Sequence, residues 1–280
     1  MPFTFSHAAA VVPLARWVRL PLSALVVGSL SPDLIYFMQL KASGNIGHTL
    51  PGLFVFCLPV GLAALWLWHE VAKLAAVALL PPWVRARTLH VAHQPFRFGP
   101  GRRLVQVAAA ILLGALTHIA WDAFTHVDGW VAERVPLFQQ LLPFPGFGSM
   151  PVYKLAQLLS TAVGAALLAW WARQWLGQQP AHSIAVPKLR HRRAWLAGLV
   201  LAAAAAGVLY ARSHAAPLMA YPELRVFTLR IIITTCTAFW LGLLAFAGWY
   251  RWRYQPHLGH PVPAPTSGPA PKRPRHSAPK

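Results

Sequence analysis

His118, Asp122 and His126 stand at i, i+4 and i+8 in the stretch THIAWDAFTH, which runs from Thr117 to His126. Successive helical residues turn by about 100°, so on a helix these three share a stripe about 80° wide. Imidazole nitrogen and carboxylate oxygen are the donors that a divalent first-row ion selects, Zn²⁺ above all. One helical turn separates His118 from Asp122, so this pair can bind one ion. His126 lies about 12 Å from His118 along the axis and joins them only if the helix ends first. The following HVDG supplies such an end, with Gly129 as a C-cap.

Three further patches carry the same chemistry. Asp33 sits in SLSPDLIYF, within an otherwise uncharged apolar segment. A carboxylate inside a span costs about 2.5–3.5 kcal/mol on insertion scales, so its presence there suggests a function. Pro32 disfavours helix at Ser31 and sets a break. The structural alternative for Asp33 is an N-cap of LIYFMQL. His48, in GNIGHTLPG, is framed by Gly44, Gly47, Pro51 and Gly52, as in a loop or a helix start. His7 lies in FTFSHAAA. Each histidine alone reads as an interfacial hydrogen-bonding residue, and Asp122 alone as a partner for an Arg on another span. Taken together, four of thirteen histidines and three of six acidic residues fall in four short patches. That concentration favours one shared site.

The elements that must position these residues are apolar. The chain is 56% hydrophobic and 11% charged, against about 25% charged in an ordinary soluble domain. A net charge of +19 fits either a nucleic-acid binder or a multi-span protein with basic inner loops. Run length decides, because a spanning helix needs roughly 20 mostly apolar residues. Leu50–Trp68, Leu104–Phe124, Leu155–Trp171, Ala194–Ala211 and Val226–Tyr250 meet or approach that length. Pro21–Leu40, interrupted by Ser-Pro-Asp, is a sixth run. The reading is an all-α integral membrane protein of about six hydrophobic helices, with no nucleic-acid partner. The start lacks the basic n-region of a cleavable signal peptide. Cys57 and Cys236 fall inside spans and read as small core hydrophobes, with no disulfide and no thiolate metal site.

Six crossings with both termini inside place 19 of 25 Lys and Arg on the inner side, as the positive-inside rule asks. The site patches, His7 apart, then lie at the outer face. The first 40 residues allow either one span, which separates His7 from Asp33, or a helical hairpin, which brings them to the same end. Val71–Val84 reads as an interfacial or re-entrant helix ended by Pro81-Pro82, followed by a basic inner loop. Trp66, Trp68, Trp170, Trp171, Trp249, Tyr250 and Trp252 cluster at span ends as an aromatic belt. Residues 1–254 form the polytopic domain, with the site in 1–130. Residues 255–280, rich in Pro, Ser and basic residues, read as a disordered tail.

The stretches MPFTFSHAAAVVPL, LPLSALVVGSLSPDLIYF, HTLPGLFVFCLPVGL and HIAWDAFTHVDGW resemble the bacterial membrane family "domain of unknown function 4184" over roughly the first 250 residues. That family has no established activity. A more distant similarity is to the membrane-bound metal-dependent hydrolases. Their order is an N-terminal His, a Pro-Asp pair, a Thr-His element and a His-x-x-x-Asp helix. His7, Pro32-Asp33, His48, and His118 with Asp122 fall on that order. The chain departs from it after Asp33, where Leu34-Ile35-Tyr36 replace a second acid and a His, and before Thr49, where an Arg-Gly is missing. Zinc-dependent phospholipase C proteins use a comparable His and Asp set, which by analogy implies lipid or phosphoester chemistry.

The expectation is an inner-membrane hydrolase, its tail cytoplasmic, acting on a lipid or lipid-linked ester or phosphoester at the outer face. His7, Asp33, His48, His118 and Asp122 would bind one or two divalent ions, Zn²⁺ by preference. His126 or Asp128 would serve as general base or outer support. The rivals are a proton-coupled transporter, in which Asp and His form a relay, and a scaffold without activity. No Walker loop and no Gly-x-Ser-x-Gly elbow is present, and GPGRR lacks the required Lys-Ser/Thr.

Overall fold

The computed structural model describes residues 4–144, 148–181, 189–215 and 221–258. Among these, six helices are long and apolar enough to cross a membrane, which makes the chain a multi-pass membrane protein. A 3-10 turn, Thr4–His7, leads into α1 (Ala8–Val18) and then α2 (Leu22–Leu30). A second 3-10 turn, Ser31–Asp33, joins α2 to α3 (Leu34–Gln39). Together α2, this turn and α3 make the first candidate span, Leu22–Gln39. With 11 residues, α1 is about 16 Å long, half the hydrocarbon thickness, and cannot cross. The N-terminal hairpin is therefore the arrangement that forms. It returns His7 to the end of α2 where Asp33 lies.

The next span, α4, covers Leu50–Leu79. It contains two π-helical turns, Leu53–Cys57 and Leu67–Ala72. Pro59 has no N–H for the carbonyl four residues back, and the wide turn ahead of it absorbs that mismatch. Val71–Leu79 is not a separate interfacial helix. It continues the span because Ala72, Ala75, Ala78 and Leu79 pack on the last helix. Beyond Pro81, α5 (Pro82–His93) takes up the first part of the expected loop, which is left with Gln94–Gly101; a proline suits a first turn, where its missing N–H has no partner to lose.

The third span begins with α6 (Arg102–Thr125), which is followed by short α7 (Trp130–Arg134) and α8 (Pro136–Gln139). A β-hairpin, β1 (Leu141–Phe144) and β2 (Gly148–Pro151), pairs Leu141 with Pro151. The remaining spans are α9 (Val152–Gln178), α10 (Arg192–Ser213) and α11 (Tyr221–Leu258). The last of these runs past Gln255, where the tail was expected to begin; residues 259–280 lie outside the described residues.

Lipid is as apolar as leucine, so helices in it associate through close packing of small residues. The contact of α2 with α6 shows this. A Cβ on Gly28 would stand 2.2 Å from the Ile111 carbonyl oxygen, and one on Gly114 would stand 2.2 Å from that of Leu25. Around this crossing Val11, Leu25, Leu65, Val107 and Ile111 form a dry core. Phe96 and Phe98, from the basic loop, and Leu20, beside Arg19, pack against the same core. The two basic segments therefore share one end of the bundle. Part of the expected aromatic belt lies inside instead. Tyr250 is 1% exposed, and Trp68 packs on Trp240 across the α4–α11 contact. Trp66, Trp170 and Trp252 stay exposed. Arg230 donates to the His214 carbonyl.

Candidate metal centre

Four chain segments converge at the end of the bundle opposite the basic loops. The Ser31–Asp33 turn brings Asp33 inward. Asp33 occupies the N-cap position of α3 but makes no cap hydrogen bond, so the alternative role for its carboxylate is not taken up. It is 3% exposed. Its Oδ2 accepts a 2.7 Å bond from Thr4 Oγ1, which leaves Oδ1 for the site.

His48 ends the Ile46–His48 turn just before α4. Gly47 allows this turn to touch the Asp33 segment: a Cβ there would lie 2.2 Å from the Pro32 carbonyl oxygen. Cys57, a free thiol, donates to the Gly47 carbonyl at 3.3 Å. Thr49 caps α4 by accepting from the Gly52 N–H at 3.0 Å.

His118 and Asp122 come from the same face of α6, one turn apart. His118 Nδ1 lies 2.8 Å from the Ser29 carbonyl oxygen. A carbonyl only accepts, so Nδ1 carries a proton, and in the neutral ring Nε2 presents its lone pair to the site. The α2–α6 glycine contact is what brings Ser29 within reach.

These groups meet at ligand spacing. His118 Nε2 is 3.1 Å from Asp122 Oδ2 and 3.6 Å from Asp33 Oδ1. His48 Nε2 is 3.5 Å from Asp122 Oδ2 and 3.6 Å from Asp33 Oδ1. All four donor atoms lie within 4.8 Å of one another. Zn²⁺ bonds of about 2.0–2.1 Å in a tetrahedron put neighbouring ligands about 3.3–3.4 Å apart, so these spacings suit one ion. As metal ligands the imidazoles would be neutral, and the two buried carboxylates would then carry two negative charges, which a divalent cation would balance. The hydrogen bonding points the same way: His118 Nε2 and Asp122 Oδ1 are buried with no aligned hydrogen-bond partner among the described residues.

His7 arrives at the same place but on the other oxygen of Asp122, with Nε2 3.5 Å from Oδ1. Its ring stacks on His118 with centroids 3.9 Å apart. It is 1% exposed, and neither ring nitrogen has a hydrogen-bond partner among the described residues. Burial lowers its pKa to about 4. His7 thus lies beside the group of four rather than in it.

His126 stands one helical turn beyond Asp122, at i+4. The helix ends at Thr125, and His126 turns to φ −117, ψ 152. Its Nδ1 then meets Asp122 Oδ1 at 3.2 Å. Gly129 is not a left-handed cap; its φ is −71. It is needed because the turn folds back on α6, where a Cβ would lie 2.5 Å from the Ala123 carbonyl oxygen. Asp128 sits exposed in that turn and makes no hydrogen bond or ion pair among the described residues. The expected pairing of Asp122 with an Arg is replaced by contacts with four histidines.

The family described as "Domain of unknown function (DUF4184)" matches residues 1–247. The chain belongs to that family. No curated protein and no solved structure matches it. In this DUF4184 chain, all five residues expected as ligands, His7 included, gather at one end of the bundle. Thr4, the Ser29 carbonyl and Gln157, whose Nε2 lies 3.1 Å from His126 Nε2, are partners that sequence reasoning missed as site members. Thr4 had a faint signal, three residues before His7 in TFSH. Gln157, 3% exposed on α9, had none, because nothing local links it to His126.

Proposed function

We propose that this protein is a membrane-embedded, metal-dependent hydrolase of a lipid or lipid-linked ester or phosphoester. The observation that carries the reading is the convergence of Asp33, His48, His118 and Asp122 on one point. A divalent ion there, Zn²⁺ by preference, would polarise a phosphoryl or acyl oxygen and lower the pKa of a bound water. The site is reached from one side: the His48 and His126 side chains are 22% and 25% exposed, whereas that of His118 is 0% exposed. Met38, Leu50, Phe124 and Trp130 are exposed at the same end, a rim that suits a substrate with an apolar tail. The apolar, buried core of Val11, Leu25, Leu65, Val107 and Ile111 below the site supports one-sided chemistry over a transport pathway.

The basic loops at the far end of the bundle support an inner-membrane protein with the site outward and the tail cytoplasmic. The test is metal content of the purified protein, with hydrolysis of lipid esters and phosphoesters in mixed micelles. We expect a divalent ion in the wild type and loss of both ion and hydrolysis in His118→Ala and Asp122→Ala. A wild type that neither retains nor takes up a divalent ion overturns the reading.

A further inference from the structure

A second group of polar side chains gathers at the basic end of the bundle, away from the candidate centre. A cavity of about 400 Å³ lies there. His69 of α4, Gln94 and Arg97 of the basic loop, and Arg103 of α6 supply its polar wall. Val91, Pro95 and Phe96 supply its apolar wall.

The fold holds this cavity in shape. Lys73 of α4 donates to the Gln94 carbonyl at 2.6 Å and so pins the loop where it leaves α5. Phe96 anchors the next part of the loop: its ring stacks on His69 with centroids 4.2 Å apart, and it packs against the buried core around Leu25 and Ile111. His69 is itself tied to α2, with Nε2 3.0 Å from Ser23 Oγ. Its Nδ1 is buried and has no hydrogen-bond partner among the described residues.

One of the cations is fixed as well. The Arg103 guanidinium carbon lies 5.7 Å from the centre of the Phe96 ring, within cation–π range. Its Nε donates to the Arg97 carbonyl at 3.2 Å. The terminal nitrogens of Arg103, and the whole guanidinium of Arg97, make no hydrogen bond or ion pair among the described residues. The adjacent acid, Glu70, is exposed and pairs with neither arginine among those residues. The positive-inside rule alone accounts for basic residues at this end as solvated charges. A solvated charge needs neither a clamped position nor an enclosure with an apolar wall, and both are present here.

We propose that this cavity binds a phosphate ester, with Arg97 and Arg103 on the phosphate oxygens and Val91, Pro95 and Phe96 against the organic part. The planar fork of a guanidinium matches a phosphate, and a fork already held in place loses little entropy on binding. In a bilayer the phosphate esters at the ends of spans are phospholipid headgroups, and basic pockets between helices on the cytoplasmic side bind anionic ones. A soluble organic phosphate offers the same chemistry. The site stands apart from the metal-centre reading and does not depend on it.

The test uses the full-length protein in a neutral detergent, stripped of lipid and of divalent ions so that the candidate centre takes no part. Native mass spectrometry then follows the binding of short-chain phosphatidylglycerol, with phosphatidylcholine as the zwitterionic control and glycerol phosphate as the soluble competitor. We expect the wild type to bind phosphatidylglycerol in preference to phosphatidylcholine. Arg103→Gln is expected to bind it about 10- to 100-fold more weakly, the loss that removing hydrogen bonds between charged groups brings. Arg87→Gln removes the same charge outside the cavity and stays within about fivefold of the wild type. Gln94→Trp keeps every charge and the carbonyl that Lys73 holds, but fills the cavity, and abolishes binding. Displacement by glycerol phosphate makes the ligand a soluble phosphate; binding that glycerol phosphate does not displace makes it a lipid headgroup. Wild-type affinity in Arg103→Gln or in Gln94→Trp overturns the site. So does an equal loss in Arg87→Gln and Arg103→Gln, which is general attraction by a basic surface, and so does a wild type that binds neither phosphatidylglycerol nor glycerol phosphate.

Discussion

Asp122 is the residue on which the site turns. Its two oxygens divide the histidines into two pairs, His118 and His48 on Oδ2, His7 and His126 on Oδ1. Asp33 is simpler: Thr4 takes one oxygen and the centre takes the other. A hydrogen bond to a buried carboxylate contributes about 1.5–3 kcal/mol, and outer partners of metal ligands are worth about 10- to 100-fold in affinity. Thr4→Val should therefore lower denaturation stability in micelles by roughly that energy and weaken Zn²⁺ binding by roughly that factor. An unchanged Zn²⁺ affinity would remove Thr4 from the site. The residue types of this centre were legible because acids are scarce in the chain and histidine beside an acid is scarcer. The oxygen that each histidine meets was not legible, because it depends on side-chain torsions fixed by contacts between segments.

At the scale of elements, two devices assemble the site. One is the α2–α6 crossing, where Gly28 and Gly114 bring the helices close enough for His118 to reach the Ser29 carbonyl. Gly114→Ala puts a methyl group into the backbone of α2. Overpacking of this kind costs about 1–3 kcal/mol, and here it also moves Asp33 away from His118. The expected outcome is a lower melting temperature together with weaker Zn²⁺ binding; a variant that melts lower but binds Zn²⁺ as the wild type does would uncouple the crossing from the centre. The other device is the last turn of α6. His126 stands at i+4 from Asp122, the spacing that puts two side chains on one face of a helix, and its Nδ1 lies 3.2 Å from Asp122 Oδ1 although the helix ends at Thr125. The HVDG turn marked this end in the sequence, although Gly129 acts through tight packing and not through a left-handed cap.

For the whole molecule, the N-terminal hairpin is the informative departure. Because α1 is too short to cross, Thr4–His7 starts at the site and Arg19 lies at the basic end with Phe96 and Phe98. The site and the basic loops are thus at opposite ends, and labelling can test which end faces out. A membrane-impermeant thiol reagent on intact cells should modify Ser43→Cys, in the loop before His48. It should reach Pro100→Cys, in the basic loop, only after permeabilisation. The reverse pattern would place the site in the cytoplasm.

Run length and residue type were enough to set the class of the protein and to pick out the groups that gather at its candidate site. In a bilayer each span must satisfy its own backbone hydrogen bonds, so spans are local features, and apolar runs of the right length show them. Histidine and aspartate in such runs are costly enough to be conspicuous. Packing between segments decided that α1 folds back on α2, that Val71–Leu79 extends the second span, and that Gln157 of α9 reaches His126 just past the end of α6. These depend on packing between segments far apart in the chain, where small-residue contacts and single hydrogen bonds choose among arrangements that the hydrophobic pattern leaves open.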